Sequence, residues 1–249
     1  MIPTLKAELR KLLTVRTTYG FLGFALVLEL FLGFFINGWR ADPLTLRDPG
    51  TLANDFAGAV HLLSLLAAIV GILLFTHEFR HNTIAYTLTL ANSRSKVLAS
   101  KIIVVSVMAI IFTLVSGALA PILSMWGMHL HHLHLVTQSI PYGSLLWKGL
   151  FYGWGYTMAG LLIATLVRNQ IGAIVTLFIV PGTIEGLLML WIKHNVVYLP
   201  FSALNSILGR GMAAYPNAIT PFHAVLVFSG WLISGWIVAW ILFIRRDAT

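Results

Sequence analysis

Cysteine is absent from the 249 residues, which excludes disulfides, thiolate metal sites and cysteine nucleophiles. Charge is scarce too. Asp, Glu, Lys and Arg make up 10% of the chain, where a soluble domain carries about 25%. Acidic groups are the scarcest at eight, which confines any carboxylate chemistry to a few positions. The string G-x-x-x-x-G-K-[ST] does not occur, so the chain has no P-loop to cradle ATP phosphates. No internal repeat, low-complexity tract or second domain is visible, and residues 1–249 read as one membrane domain.

What the chain does have is hydrocarbon: 58% of its residues are hydrophobic and its mean hydropathy is +0.88. A helix of roughly 20 apolar residues crosses a bilayer core of about 30 Å. Six runs qualify, near 17–37, 57–76, 97–126, 145–167, 170–192 and 222–244. They are continuous and lack the alternation of barrel strands, so the predicted class is an all-α integral membrane protein. The third run is over-long and is expected to tilt, to kink at Pro121 or to project beyond the bilayer. The basic start leads into a full-length span without a small-residue cleavage site, so no signal peptide is expected.

The formal charge of +8 would suggest nucleic acid in a soluble protein. In this setting it predicts basic loops facing an anionic cytoplasmic leaflet and no nucleic-acid partner. Lys6, Arg10, Lys11 and Arg16, then Arg80, Arg94, Lys96 and Lys101, then Arg168, Arg245 and Arg246 fall on one side. The other side holds Arg40, Arg47, Lys148, Lys193 and Arg210, together with Asp42, Asp48 and Asp55 and a segment containing Pro200 and Pro216. The imbalance places both termini in the cytoplasm, and the expected location of this multi-pass chain is a bacterial-type cytoplasmic membrane. Residues 245–249 form a cytoplasmic tail. Residues 1–16 differ from the spans: Leu5, Leu9, Leu12 and Leu13 share one helical face, with Lys6, Arg10 and Lys11 on another. Such a helix lies in the membrane interface.

One short string has chemistry to offer. Residues 77–83 read His77-Glu78-Phe79-Arg80-His81-Asn82-Thr83 and contain H-E-x-x-H. In a zinc peptidase the two His bind the metal and the Glu between them is the base on the metal-bound water. Three features oppose that reading. Arg80 would set a cation beside a dication, no second motif supplies a third ligand, and Asn82-Thr83 marks a helix break or a new N-cap.

The longer stretch 72–104, ILLFTHEFRHNTIAYTLTLANSRSKVLASKIIV, is more informative. It resembles the signature region of the type-2 ABC exporter permeases. That pattern has a second span ending in an acidic residue, an aromatic-Arg pair and a Thr. A short amphipathic helix, a polar Ser/Arg turn and a Lys opening the third span follow. The matching positions are Glu78, Phe79, Arg80, Thr83, Ser93, Arg94 and Lys101, and Glu8, Lys11 and Arg16 match in an opening interfacial helix.

The resemblance implies the permease subunit of an ATP-driven exporter that moves an amphiphilic cargo such as a drug, peptide or lipid. Its partners would be ABC ATP-binding subunits, a second permease copy or homologous permease, and the lipid bilayer. No cofactor is expected in this chain, which would be no enzyme itself; ATP and Mg would belong to the ATPase subunit. A cytoplasmic helix at roughly 80–93 would couple the two, with Ile84 and Leu88 on a docking face and Glu78 paired to Arg80 or Arg16. The coupling set is therefore Glu78, Phe79, Arg80, Thr83, Ile84, Leu88 and Arg94.

Glu29 and Glu185 fall inside predicted spans, where an ionised side chain costs roughly 2.5–3.5 kcal/mol. They are candidates for a translocation path or for an inter-helix hydrogen bond. Pro181-Gly182-Thr183 is expected to break the fifth helix beside Glu185. His129, His131, His132 and His134 form an outer cluster, a weak candidate for metal binding or acid sensing; a solvated loop is the alternative. Trp126, Trp147, Trp154, Trp191 and Trp231 read as an aromatic belt. If the coupling reading holds, the purified chain shows no zinc-dependent peptide cleavage. Chelator-sensitive cleavage abolished by Glu78→Gln would restore the hydrolase.

Overall fold

Every described segment of the chain that forms regular structure is helical. The computed structural model describes residues 2–42, 49–81, 83–91, 93–133, 142–209 and 219–245. Asn82, Arg47, Asp48, His134, Arg210, Pro216 and Arg246 lie outside them. The helices are α1 (Ile2–Thr14), α2 (Arg16–Glu29), α3 (Pro49–Arg80), α4 (Ile84–Ala91) and α5 (Arg94–Leu130). After them come α6 (Tyr142–Val167), α7 (Gln170–Ile179), α8 (Glu185–Ile192), α9 (Pro200–Ile207) and α10 (Pro221–Arg245). α2 continues as a π-helical segment, Leu30–Trp39, and α7 joins α8 through a π-helical turn, Val180–Ile184.

Six helical stretches are long and apolar enough to span a membrane: Thr18–Trp39, Phe56–Arg80, Arg94–Leu130, Gly143–Val167, Gln170–Ile192 and Pro221–Arg245. They agree with the six hydropathic runs. The third is 37 residues, roughly 55 Å at 1.5 Å per residue, so it outruns the bilayer core. It passes through Pro121 as one helix. The fifth span likewise stays helical where a break was expected. The π turn widens the helix around Pro181, which has no N–H to offer, instead of ending it.

Phe56–Arg80 and Gly143–Val167 are each 61% buried, against 17–18% for the first, fifth and sixth spans. α3 and α6 are therefore the central pair, and the other three present most of their surface outward. That surface is hydrocarbon: Phe31, Ile171 and Ile233 are all more than half exposed. Such a rim suits lipid, and in water it would aggregate.

Lipid gives apolar helices no reason to associate, so close backbone packing must do it. A Cβ on Gly160 of α6 would sit 2.9 Å from that of Ala68 on α3. At the far end of α5, a Cβ on Gly127 would meet the backbone oxygen of Phe34 at 2.3 Å and the nitrogen of Trp39 at 2.8 Å.

α9 was not foreseen. The sequence reading placed Pro200 in an outer loop, yet Phe201, Leu204 and Ile207 enter the main core between α6 and α10. Pro200 starts this helix at its first turn, and Gly209, at φ +77, follows its end in the left-handed region. Trp154 also departs from the aromatic belt. It is half-buried inside α6, where its Nε1 donates to Ser106 Oγ. Trp126 and Trp191 are exposed near helix ends.

Because Gly127 faces backbone atoms that cannot rotate away, Gly127→Ala is expected to destabilise the protein by about 1–3 kcal/mol. Thermal unfolding of the detergent-solubilised chain would read this, with Gly143→Ala, which has open space around it, as the silent control.

Candidate functional site

α1 is held to the bundle by charge as well as by packing. Leu12 packs with Val70 of α3 and Val104 of α5. This orientation turns Glu8 inward, where four charged groups meet. Lys101 Nζ of α5 donates to Glu8 Oε2 at 2.8 Å and lies 3.1 Å from Glu78 Oε1 of α3. Lys11 Nζ donates to Glu8 Oε1 at 2.8 Å and also to Glu78 Oε1. Lys101 has no exposed surface, and Glu8 and Glu78 are 2% and 4% exposed. The two carboxylates and two ammonium groups sum to no net charge. The second Glu78 oxygen has no hydrogen-bond partner. Burial works to lower the Lys11 pKa, but its hydrogen bonds to Glu78 and Glu8 outweigh it and hold the group above its ordinary value.

This arrangement corrects the expected pairing of Glu78 with Arg80 or Arg16. Arg80 points away and donates from Nη1 to Gln170 Oε1 at 3.3 Å. Glu78 sits in the last turn of α3 and faces the bundle, where Lys101 and Lys11 wait. The expected helix at 80–93 is shorter, because α3 runs to Arg80 and α4 begins at Ile84. Thr83 marks the changeover: its N–H donates to the Glu78 carbonyl at 2.9 Å, and its own carbonyl accepts from Thr87 at 3.1 Å.

Ile84 is 3% exposed, and Leu88 packs on the core. The groove they fill is thus the chain's own, and α4 presents Ala85, Tyr86 and Thr89 outward, with Tyr86 74% exposed. A hollow of about 550 Å³ lies beside it, lined by Lys11, His77, Arg80, His81 and Tyr86 among others. Phe79 stacks on Phe75 at 5.3 Å and carries the Arg168 guanidinium 5.5 Å above its ring. Arg94 Nη1 donates to the Ile244 carbonyl at 3.1 Å, a cation at the C-terminal end of α10 where the helix dipole favours it.

The H-E-x-x-H string does not form a peptidase centre. The His77 and His81 rings lie 4.3 Å apart, but Glu78 is committed to two lysines. Among the described residues no three His, Asp or Glu side chains gather as a metal site. The outer cluster is equally unassembled. His131 stacks on Trp39 at 4.9 Å, His129 and His132 are exposed, and His134 lies outside the described residues.

The two intramembrane carboxylates differ. Glu185 accepts from Phe201 N (2.8 Å), Ser202 N (2.7 Å) and Ser202 Oγ (2.6 Å), so it closes the N-terminus of α9. Glu29 is 4% exposed and neither of its oxygens has a hydrogen-bond partner. It lines a cleft of about 310 Å³ between α1, α2 and α5. A half-buried polar chain that sequence reasoning missed runs from His61 Nδ1 to the Tyr152 hydroxyl, which donates to Asn205 Oδ1 at 3.0 Å. It joins α3, α6 and the unforeseen α9.

Residues 4–185 match the family model described as ABC-2 family transporter protein. The chain belongs to the ABC-2 transporter family. The match takes in most of α1, α4, the charge cluster, the first four spans and the fifth as far as Glu185. A search of curated proteins gives no match. The molecule is thus a multi-pass permease subunit of an ABC transporter, and its family implies association with ABC ATP-binding subunits. In the permease, Lys101→Met would leave Glu8 and Glu78 facing each other with one lysine between them. The expected cost is about 3–5 kcal/mol, read as a lower unfolding midpoint and partly recovered by adding Glu8→Gln. An unchanged midpoint would show that the cluster carries no stability.

Proposed function

We propose that this permease is half of an ATP-driven exporter, working as a dimer with separate ATP-binding chains and moving an amphiphilic cargo out of the cytoplasm. The observation that carries the reading is α4. This short helix stands outside the six spans, with one face locked to the core by Ile84 and the other open at Tyr86. Through Thr83 its first turn is bonded to the backbone of Glu78, whose side chain belongs to the cluster joining α1, α3 and α5. A push on α4 therefore reaches three helices at once.

ATP and Mg act in the partner subunit, and closure of two ATP-binding chains drives the α4 helices of two permeases. The spans answer by shifting between inward- and outward-open arrangements. The basic residues near α1, α4 and the α10 end support a cytoplasmic position for this side, with α1 in the membrane interface. Of the coupling residues read from the sequence, Arg80 and Thr83 remain on the contact surface, joined by Tyr86. Glu78, Phe79, Ile84, Leu88 and Arg94 act from behind it. Glu185 serves the path by holding α9, and Glu29 lines the route itself.

The test is co-purification with the ATP-binding subunit. Tyr86→Asp is expected to lose the partner by about tenfold in affinity, near 1.4 kcal/mol, while the permease alone unfolds at its usual temperature. Retention of the partner by both Tyr86→Asp and Arg80→Glu would sink the coupling role of α4.

A further inference from the structure

Among the described residues, three buried carboxylates have partners, and Glu29 has no hydrogen-bond partner. Glu8 and Glu78 face lysines, and Glu185 caps α9. Both Glu29 oxygens are buried and without hydrogen bonds. The position has a further mark: Glu29 is the last residue before α2 widens into the π-helical segment, a geometry that recurs at functional sites.

The cleft that Glu29 lines is apolar except for Glu29 itself and Ser116. Its outer wall consists of Leu9 and Leu13 of α1, Leu26 of α2, and Val107, Ile111 and Val115 of α5, all exposed. In a bilayer that wall meets acyl chains. The α5 lining extends from Val104 to Leu119, a rise of roughly 22 Å. Gly33 sits against Ala120 and Leu123, so Glu29, one turn earlier, is level with Ser116 and Leu119 at the end of the cleft far from α1. The result is a slender apolar channel, open to lipid along its side, with a carboxylate at one end.

We propose that this cleft binds a lipophilic primary-ammonium amphiphile, with its ammonium on Glu29 and its alkyl chain lying along α5. An anion would meet only a carboxylate there, and a hydrophilic amine or free metal ion would lose hydration that the apolar walls cannot replace. A long-chain ammonium satisfies both ends: the chain replaces lipid against Val107, Ile111 and Val115, and the head supplies the missing partner. The Glu29 oxygens are themselves buried, so engagement takes a rotamer step of the side chain. The site's role as a cargo site rests on the exporter reading; binding to it does not.

The experiment uses the full-length chain in phosphatidylcholine nanodiscs, titrated with dodecylammonium and with dodecanol. Wild type is expected to bind dodecylammonium about tenfold more tightly than dodecanol, the scale of one charge-assisted hydrogen bond. Glu29→Gln is expected to lose that preference while still binding dodecanol, and Glu29→Asp to keep part of it. Equal affinities in wild type overturn the proposal, as does a preference unchanged in Glu29→Gln. Binding of neither ligand overturns it too, and is the result expected if a second copy of the chain covers the cleft. Tyr86→Asp and Arg80→Glu separate the two readings: if both keep the ATP-binding partner but the ammonium preference follows Glu29, the site stands and the coupling role of α4 falls.

Discussion

Two carboxylates and two ammonium groups share one buried point where α1, α3 and α5 converge, and the rest of the permease is arranged around that point. Burying charge is unfavourable unless geometry and neutrality are both met. Here Lys101, fully buried, faces Glu8 and Glu78, and Lys11 closes the group from its partly exposed side. Satisfying Glu8 draws α1 down onto the bundle. Satisfying Glu78 fixes the last turn of α3, and with it the start of α4 through Thr83. The cleft at Glu29 has α1 as one wall, so it too depends on this point.

The interior of a membrane protein has two ways to bring helices together, and this chain uses them in different places. Along the central pair, small residues such as Gly160 and Ala68 let α6 and α3 approach closely, because hydrocarbon against hydrocarbon gains little in lipid. At the α1 end and around α9, polar groups do the work: the charge cluster, the Glu185 cap, and the His61–Tyr152–Asn205 chain. Polar contacts specify which helix faces which, because a mismatch leaves a charge or dipole unpaired in a medium without water. Glu29 is the exception among the carboxylates described, which is why it reads as a place for something that arrives from outside the chain.

The six spans were legible before any coordinates, because a continuous apolar run long enough to cross a bilayer has one structural outcome. So were the helical start of the chain and a short helix after the second span. Local detail was less legible. The Ile84 and Leu88 face of α4 is apolar whether it meets a partner or its own core, so periodicity could not say which. α9 was hidden in a Pro-containing connection, although Phe201, Leu204 and Leu208 recur at helical spacing after Pro200. Trp154 reads as a belt residue from composition and is an interior donor in the fold.

The partners of the charges were out of reach in the sequence. Lys101 and Glu8 are 93 residues apart, and Lys11 and Glu78 are 67 apart. H-E-x-x-H placed Glu78 between two histidines, and only tertiary packing turned it to two lysines instead. By itself, then, the sequence determined that the chain is helical, spans a membrane six times and carries an ABC-2 signature, because those follow from hydropathy and from residues close together along the chain. Which charges meet, which face of α4 is free, and which of two intramembrane carboxylates is left without a partner were decided by the tertiary structure. These are properties of helices brought side by side, and no spacing within one helix encodes them.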